Sequence, residues 1–223
     1  MAEKRGLFIT FEGVDGVGKT TQAKLLKDYL ENNCRYYSHN PWEPVLLTAE
    51  PGGTPLGEKI RRLLLDPDGP RIGRKAEAFL YAADRAQHVS ETIRPALEQG
   101  RTVICDRYTD STLAYQVGGR ALPSDAIEWL NEWATNGLQP DRTYLLDMNP
   151  KDRRLTERKR DRLEQESLEF QDRVRNKFLD LASQYPERIM MLDGSLSRSQ
   201  VEKLIRMDVD RILGERASAA PLA

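Results

Sequence analysis

Histidine and cysteine are scarce in this sequence: 223 residues include two of each, His39 and His88, Cys34 and Cys105. Two thiols at unrelated positions make neither a disulfide framework nor a zinc site. With so few imidazoles, no His–Cys metal cluster is expected. The two thiols are expected to stay reduced, as they do in a cytoplasmic protein. Also missing is any apolar run long enough to span a bilayer, so no membrane partner is expected. The first six residues, Met1-Ala2-Glu3-Lys4-Arg5-Gly6, are charged and run straight into a strand-like segment, without the apolar core and cleavage site of a signal peptide. A basic excess is absent as well, with 34 Lys and Arg against 35 Asp and Glu. That balance argues against a protein whose task is to coat nucleic acid. No internal repeat or low-complexity tract occurs. What is present is a hydrophobic fraction of 39%, enough for a sizeable core, at a length that suits one domain, expected over 1–216, with a small lid.

Short β-rich runs alternate with longer helical patterns. Leu7–Phe11, Val45–Ala49, Thr102–Cys105, Thr143–Leu146 and Ile189–Leu192 read as five buried strands. Helical spacing runs over Lys19–Glu31, Leu56–Leu65, Lys75–Gln99 with Pro95 as a potential break, Thr112–Gln116, Ser124–Thr135 and Val201–Leu213. The segment Asn32–Pro44 is polar and irregular and reads as a surface excursion, and Glu50-Pro51-Gly52-Gly53-Thr54 is a turn cluster. Residues 217–223 are rich in small side chains and are expected to fray. The alternation predicts an α/β fold, a five-stranded parallel sheet with helices on both faces. Ligands of such sheets bind beyond the carboxyl ends of the strands, where Gly13, Glu50 and Asp106 fall.

The run Gly13-Val14-Asp15-Gly16-Val17-Gly18-Lys19-Thr20 fits G-x-x-x-x-G-K-[ST]. Its backbone N–H groups must wrap a polyphosphate, which requires glycine where side chains would collide. Lys19 supplies a point charge for the β- and γ-phosphates and Thr20 a hydroxyl for Mg²⁺, while the next helix aims its positive end, with Thr21 in its first turn, at the anion. The motif leaves an expected strand and enters an expected helix, the context of a phosphate-loop (P-loop) NTPase. A guanine-reading Asn-Lys-x-Asp is missing; Asn176-Lys177-Phe178-Leu179 fails at its last position. A DNA-dependent motor is usually larger and more basic. A small-molecule kinase fits the size, and its chemistry needs several arginines converging on the transferred group. Arg61, Arg85 and Arg107 are placed for that, with Asp106 able to hold Mg²⁺ through water. Arg153, Arg154, Arg158, Lys159, Arg160 and Arg162 read either as a solvated helix or as a lid, about 150–165, that brings arginine onto the phosphates.

Together, Phe11 to Thr21, Glu50-Pro51-Gly52-Gly53-Thr54, Asp106-Arg107-Tyr108, Ser111-x-x-Ala114-Tyr115-Gln116 and Asp161-Arg162-Leu163-Glu164 resemble the thymidylate kinase family, in family order over roughly residues 6 to 195. The resemblance implies transfer of the γ-phosphoryl of ATP to dTMP, with Mg²⁺, in a protein that is usually a homodimer. It implies that Asp15 holds the acceptor sugar's 3′-hydroxyl and that Glu50 sits beside acceptor and metal. Arg61, Arg85 and Arg107 would contact the acceptor phosphate, Arg107 also acting at transfer. Ser111 and Gln116 would border the thymine, Tyr115 would lie near the sugar, and Tyr81 would stack on the base where the family usually has Phe. Departures are Ala49, where relatives often carry Arg, and a long 32–44 excursion. Gly16 stands where some members place a catalytic arginine, which aligns this chain with the class whose lid supplies it, through Arg158 or Arg162. The alternatives are another nucleoside monophosphate kinase on the same scaffold and a catalytically inert nucleotide-binding protein.

Overall fold

The computed structural model describes residues 5–33, 45–152 and 161–218. Residues 1–4, most of the excursion (34–44), the cationic run 153–160 with Arg158, and residues 219–223 lie outside the described residues.

Among the described residues five strands build one sheet: β1 (Phe8–Glu12), β2 (Leu46–Ala49), β3 (Val103–Asp106), β4 (Arg142–Asp147) and β5 (Ile189–Asp193). Their order is β2-β3-β1-β4-β5, and all four pairings are parallel. The α-helices are α1 (Lys19–Asn33), α2 (Pro55–Leu65), α3 (Arg74–His88), α4 (Arg94–Glu98), α5 (Thr109–Thr112), α6 (Ser124–Thr135), α7 (Leu168–Gln184) and α8 (Arg198–Ser218). The strands agree with the sequence pattern to within a residue or two. Three helical expectations change. The helix expected over 75–99 is one rod in three parts, α3 and α4 joined by a π-helical turn at Val89–Ile93, with Pro95 in the first turn of α4 directly after it. The helix expected at 112–116 extends over Thr109–Gly119, its second part also π-helical. The last helix, α8, continues to Ser218, so residues 217 and 218 are helical rather than frayed.

The central strands bury side chains on both faces of the sheet, because side chains alternate along each strand. Phe8, Val103 and Cys105 join Val89, Ile93, Ala96 and Leu97 on one side. Leu7, Ile9, Phe11 and Ile104 join Ala23, Leu26 and Leu30 of α1 and Val201, Ile205 and Val209 of α8 on the other. Each fully buried Phe, Ile or Leu contributes about 1.5–3 kcal/mol. Central strand β1 is wholly buried, and Thr10 hydrogen-bonds Thr143 across it at 2.7 Å. With β1 fixed this firmly, the loop at its carboxyl end has a rigid base. Among the described residues no helix is long and apolar enough to cross a membrane.

Candidate active site

The ends of β1, β2 and β3 open into one cleft of about 530 Å³. It is lined by the phosphate loop, the Glu50 turn, α2, α3, the Asp106–Gln116 segment, and Asp161 and Leu163.

Gly13 starts the loop at φ 131°, and a Cβ there would stand 2.3 Å from the Leu146 carbonyl oxygen. Only glycine lets the chain turn so close to β4. Gly16 and Gly18 also take positive φ. The buried Lys19 ammonium donates to the Val14 carbonyl at 2.8 Å and lies 3.8 Å from Asp15. Burial and the nearby Arg107 charge pull it down to about 8, against the attraction of Asp15, Asp106 and Glu12. Thr20 Oγ1 donates to the Asp106 carboxylate, so the hydroxyl and the carboxylate expected beside the metal do meet.

Arg107 is the junction of the site. It follows β3 at φ 74°, a left-handed conformation that turns its side chain back over the loop. Nη1 donates to the Gly13 carbonyl at 3.0 Å and to Ser111 Oγ at 2.9 Å, and Nη2 donates to Asp15 Oδ1 at 2.5 Å. Tyr115 adds a hydrogen bond from its hydroxyl to Asp15 Oδ2 at 2.9 Å. Burial alone raises the Asp15 carboxyl, but Arg107 and Lys19 outweigh it and hold that carboxyl well below its usual range.

Beneath Arg107 lies Glu12, to which sequence reasoning assigned no role. Its buried Oε1 accepts from the Tyr108 and Ser111 backbone N–H groups at 2.7 and 3.2 Å, and Oε2 accepts from Ser111 Oγ at 2.5 Å. It thereby caps the short helix that carries Ser111. Burial and the Asp110 charge push Glu12 up to about 7, against Arg107 and the hydrogen bonds from Ser111 and Tyr108.

The acceptor side of the cleft rests on a second ion pair. Arg85 is 2% exposed. Its Nε donates to Glu50 Oε2 at 2.7 Å, Nη1 to Thr112 at 2.6 Å and Asn131 at 2.9 Å, and Nη2 to the Tyr108 carbonyl at 2.9 Å. Glu50 Oε1 is paired with His88 Nδ1 at 2.9 Å, and the other imidazole nitrogen meets Thr48 Oγ1 at 2.7 Å. Arg85 and Glu50 therefore line the cleft as a mutually neutralised wall. The resemblance implies Arg85 at the acceptor phosphate and Glu50 beside acceptor and metal; in the structure the two line the cleft bonded to each other, as buried charges of opposite sign placed this close do. Cys105 completes a cluster that the count of His and Cys did not suggest: ligand atoms of Glu50, His88 and Cys105 lie within 4.8 Å of one another. Their bonds to Arg85, Thr48 and the Arg107 carbonyl engage them already, and burial pushes the Cys105 thiol up. The cluster braces the wall.

Other expected residues fall as follows. Arg61 lines the cleft and donates to the Pro51 carbonyl at 2.6 Å; its helix is capped by Thr54, whose hydroxyl accepts from Gly57 N–H at 2.9 Å. Tyr81 lines the cleft, half-buried against the main core. Gln116 lines it too, its amide nitrogen donating to Glu77 Oε1 at 3.0 Å. Arg162 points elsewhere, to Glu77 at 2.5 Å and the Leu64 carbonyl at 2.8 Å, so its charge is held by the acceptor side and not by the phosphate loop. The other lid candidate, Arg158, lies outside the described residues.

A phosphate loop at the end of a central parallel strand, facing a cleft across one arginine, defines a nucleotide-dependent phosphotransferase of the small-kinase class. The thymidylate kinase family model matches residues 11–205. Curated thymidylate kinases are similar over nearly their whole length. That of Bifidobacterium longum subsp. infantis is 52% identical, covering 96% of this chain and 90% of the relative. That of Symbiobacterium thermophilum is 46% identical, covering 96% and 97%. The crystal structure of thymidylate kinase from Ehrlichia chaffeensis superposes with a TM-score of 0.72 at 33% identity, covering 94% of this chain and 99% of that one. The chain belongs to the thymidylate kinase family.

Proposed function

We propose that this chain transfers the γ-phosphoryl group of ATP to the 5′-phosphate of dTMP, with the loop Gly13 to Thr20 as donor clamp and the Glu50–Arg107–Gln116 cleft as acceptor pocket. The observation that carries the reading is Arg107, bonded at once to the loop (Gly13, Asp15) and to the acceptor segment (Ser111). A group that spans both substrates' sites can neutralise charge on the phosphoryl as it moves between them. In this reading Lys19 and the α1 N-terminus, with Thr21 in its first turn, bind the β- and γ-phosphates. Arg61 and Arg107 hold the acceptor phosphate, and Asp15 with Tyr115 positions the sugar. Tyr81 stacks on the base, and the Arg85–Glu50 pair forms the pocket floor.

The hard oxygen donors of Thr20 and Asp106 fit Mg²⁺. Glu50, with both oxygens engaged, fits it less well as a direct ligand. Bound there, the ion would neutralise charge on the β- and γ-phosphate oxygens. A lid arginine, Arg158 or Arg162, would supply the cation that Gly16 does not; Arg162 must leave Glu77 to do so. The single domain over 1–216, with its lid, works in this reading as a cytoplasmic enzyme.

The test is coupled ADP release with dTMP, dUMP, dCMP, dGMP and AMP, with and without Mg²⁺. Turnover should require Mg²⁺ and favour dTMP. A lone methyl is worth about 1–3 kcal/mol in a pocket, so dUMP is a poorer substrate rather than an inert one. A preference for a purine monophosphate would defeat the reading.

We also propose a homodimer. Large apolar side chains stand exposed on neighbouring helices: Phe79 on α3, and Trp129 and Trp133 on α6 with ring centroids 5.1 Å apart. Patches of this kind mark association surfaces more often than bare solvent faces. Light scattering at micromolar concentration should give twice the chain mass, and a monomer would refute it.

A further inference from the structure

We propose that Glu77 sets the hydrogen-bonding polarity of the base pocket, holding the Gln116 amide so that its oxygen, and not its nitrogen, meets the acceptor base. Glu77 is 1% exposed and stands on α3 one turn before Tyr81. Its Oε1 accepts from Gln116 Nε2 at 3.0 Å and Arg120 Nε at 2.9 Å. Its Oε2 accepts from Arg120 Nη2 at 3.2 Å and Arg162 Nη2 at 2.5 Å. Burial raises this carboxyl, but the hydrogen bonds and charges of Arg120 and Arg162 outweigh it and keep the group ionised.

An ionised carboxylate only accepts. The amide end that faces it must therefore be the NH₂, because a flipped amide would set two acceptors against each other. This fixes an assignment that atomic positions alone leave open for an amide. The Gln116 side-chain oxygen makes no hydrogen bond among the described residues, yet it is not one of the buried polar atoms left without a partner. It opens on the cleft that Gln116 lines beside Tyr81 and Tyr115. The pocket thus presents an acceptor on that wall.

Pyrimidines differ in what they offer to such a wall. Thymine and uracil carry a donor N3–H, whereas cytosine has a lone pair at the same atom. An acceptor held in place takes the first and repels the second, and a polar pocket left with a mismatched partner discriminates far more strongly than one that reads a methyl. Glu77 touches no substrate in this arrangement; it is a positioning residue acting through Gln116. The inference rests on the dTMP reading above.

The decisive experiment compares kcat/KM for dTMP, dCMP and dUMP in the parent enzyme and in Glu77→Gln. The neutral amide can donate or accept, so Gln116 is free to turn over. The dTMP-to-dCMP ratio should fall at least about tenfold, while the dTMP-to-dUMP ratio stays within about twofold, because both of those bases carry N3–H. A general loosening of the pocket would move both ratios, and that result overturns the proposal. Glu77→Asp serves as a second variant. It keeps the charge facing Arg120 and Arg162 but draws the carboxylate back from the amide, and it should shift the dTMP-to-dCMP ratio in the same direction. An unchanged dTMP-to-dCMP ratio in a variant that melts cooperatively also overturns the proposal. The functional reading fails separately, if the parent enzyme shows no preference for dTMP.

Discussion

Arg107→Ala should lower kcat by roughly 10³-fold or more, with ATP affinity changed only a few-fold. The asymmetry follows from where the guanidinium sits. In the proposed arrangement ATP is held by the loop backbone, Lys19 and the start of α1, which have anchors besides Arg107: Lys19 is tethered to the Val14 carbonyl and Gly13 is set against β4. Phosphoryl transfer needs a cation between the two nucleotides, and Arg107 is the side chain that bridges loop and acceptor segment. Its loss also frees Asp15 from its strongest partner, leaving Lys19 and Tyr115 to orient that carboxylate. Arg107→Lys should recover little, since a single ammonium cannot hold Gly13, Asp15 and Ser111 with one planar fork. Single-turnover rates, together with equilibrium titration of ATP, separate the two effects. A kcat within tenfold of the parent would remove Arg107 from the mechanism.

The second large effect concerns stability. Glu50→Ala strands the Arg85 guanidinium, which is 2% exposed and has no other carboxylate bonded to it among the described residues. Removing one partner of a buried pair costs about 3–5 kcal/mol. At about 2–4 °C per kcal/mol for a domain of this size, Tm should drop by roughly 6–20 °C. His88 also loses its Nδ1 partner, which adds to the loss. Replacing both charges with apolar residues of similar volume, Glu50→Leu with Arg85→Met, should return much of the stability while activity stays low. Scanning calorimetry of the single and double variants reads this directly. A single variant that melts with the parent would show that the pair is not what holds the pocket floor.

The strands, the phosphate loop and the residues at the strand ends are legible in the sequence, because each is a local pattern: an apolar run, a glycine spacing, a polar residue after a strand. Arg107 is legible for the same reason, as the first charged side chain to extend past β3 and Asp106. Arg85 is legible as a cleft residue, but not as half of a buried pair. Its partner Glu50 is on another segment, and spacing along one chain says nothing about which charges two segments bring together. Glu12 and Glu77 stay hidden on the same ground. One stands on a strand and the other on a helix flank, and each gains meaning only from donors that other segments supply, Ser111 for the first and Gln116, Arg120 and Arg162 for the second. The π-helical turns are invisible too, since they change hydrogen-bond pattern without changing the apolar period enough to notice.

The strand order also governs how the molecule comes into being. Of the five strands β1 comes first in order, yet its enclosure has to wait, because its neighbours are β3 and β4: Phe8 waits for Val103 and Ile9 for Arg142. Such non-local pairings cannot form hairpin by hairpin and are slow to close. The glycine-rich segment therefore has no complete sheet to dock on until β3 and β4 are in place. A fragment that ends before β4 carries every residue of the nucleotide signature and still lacks the second wall that shapes it.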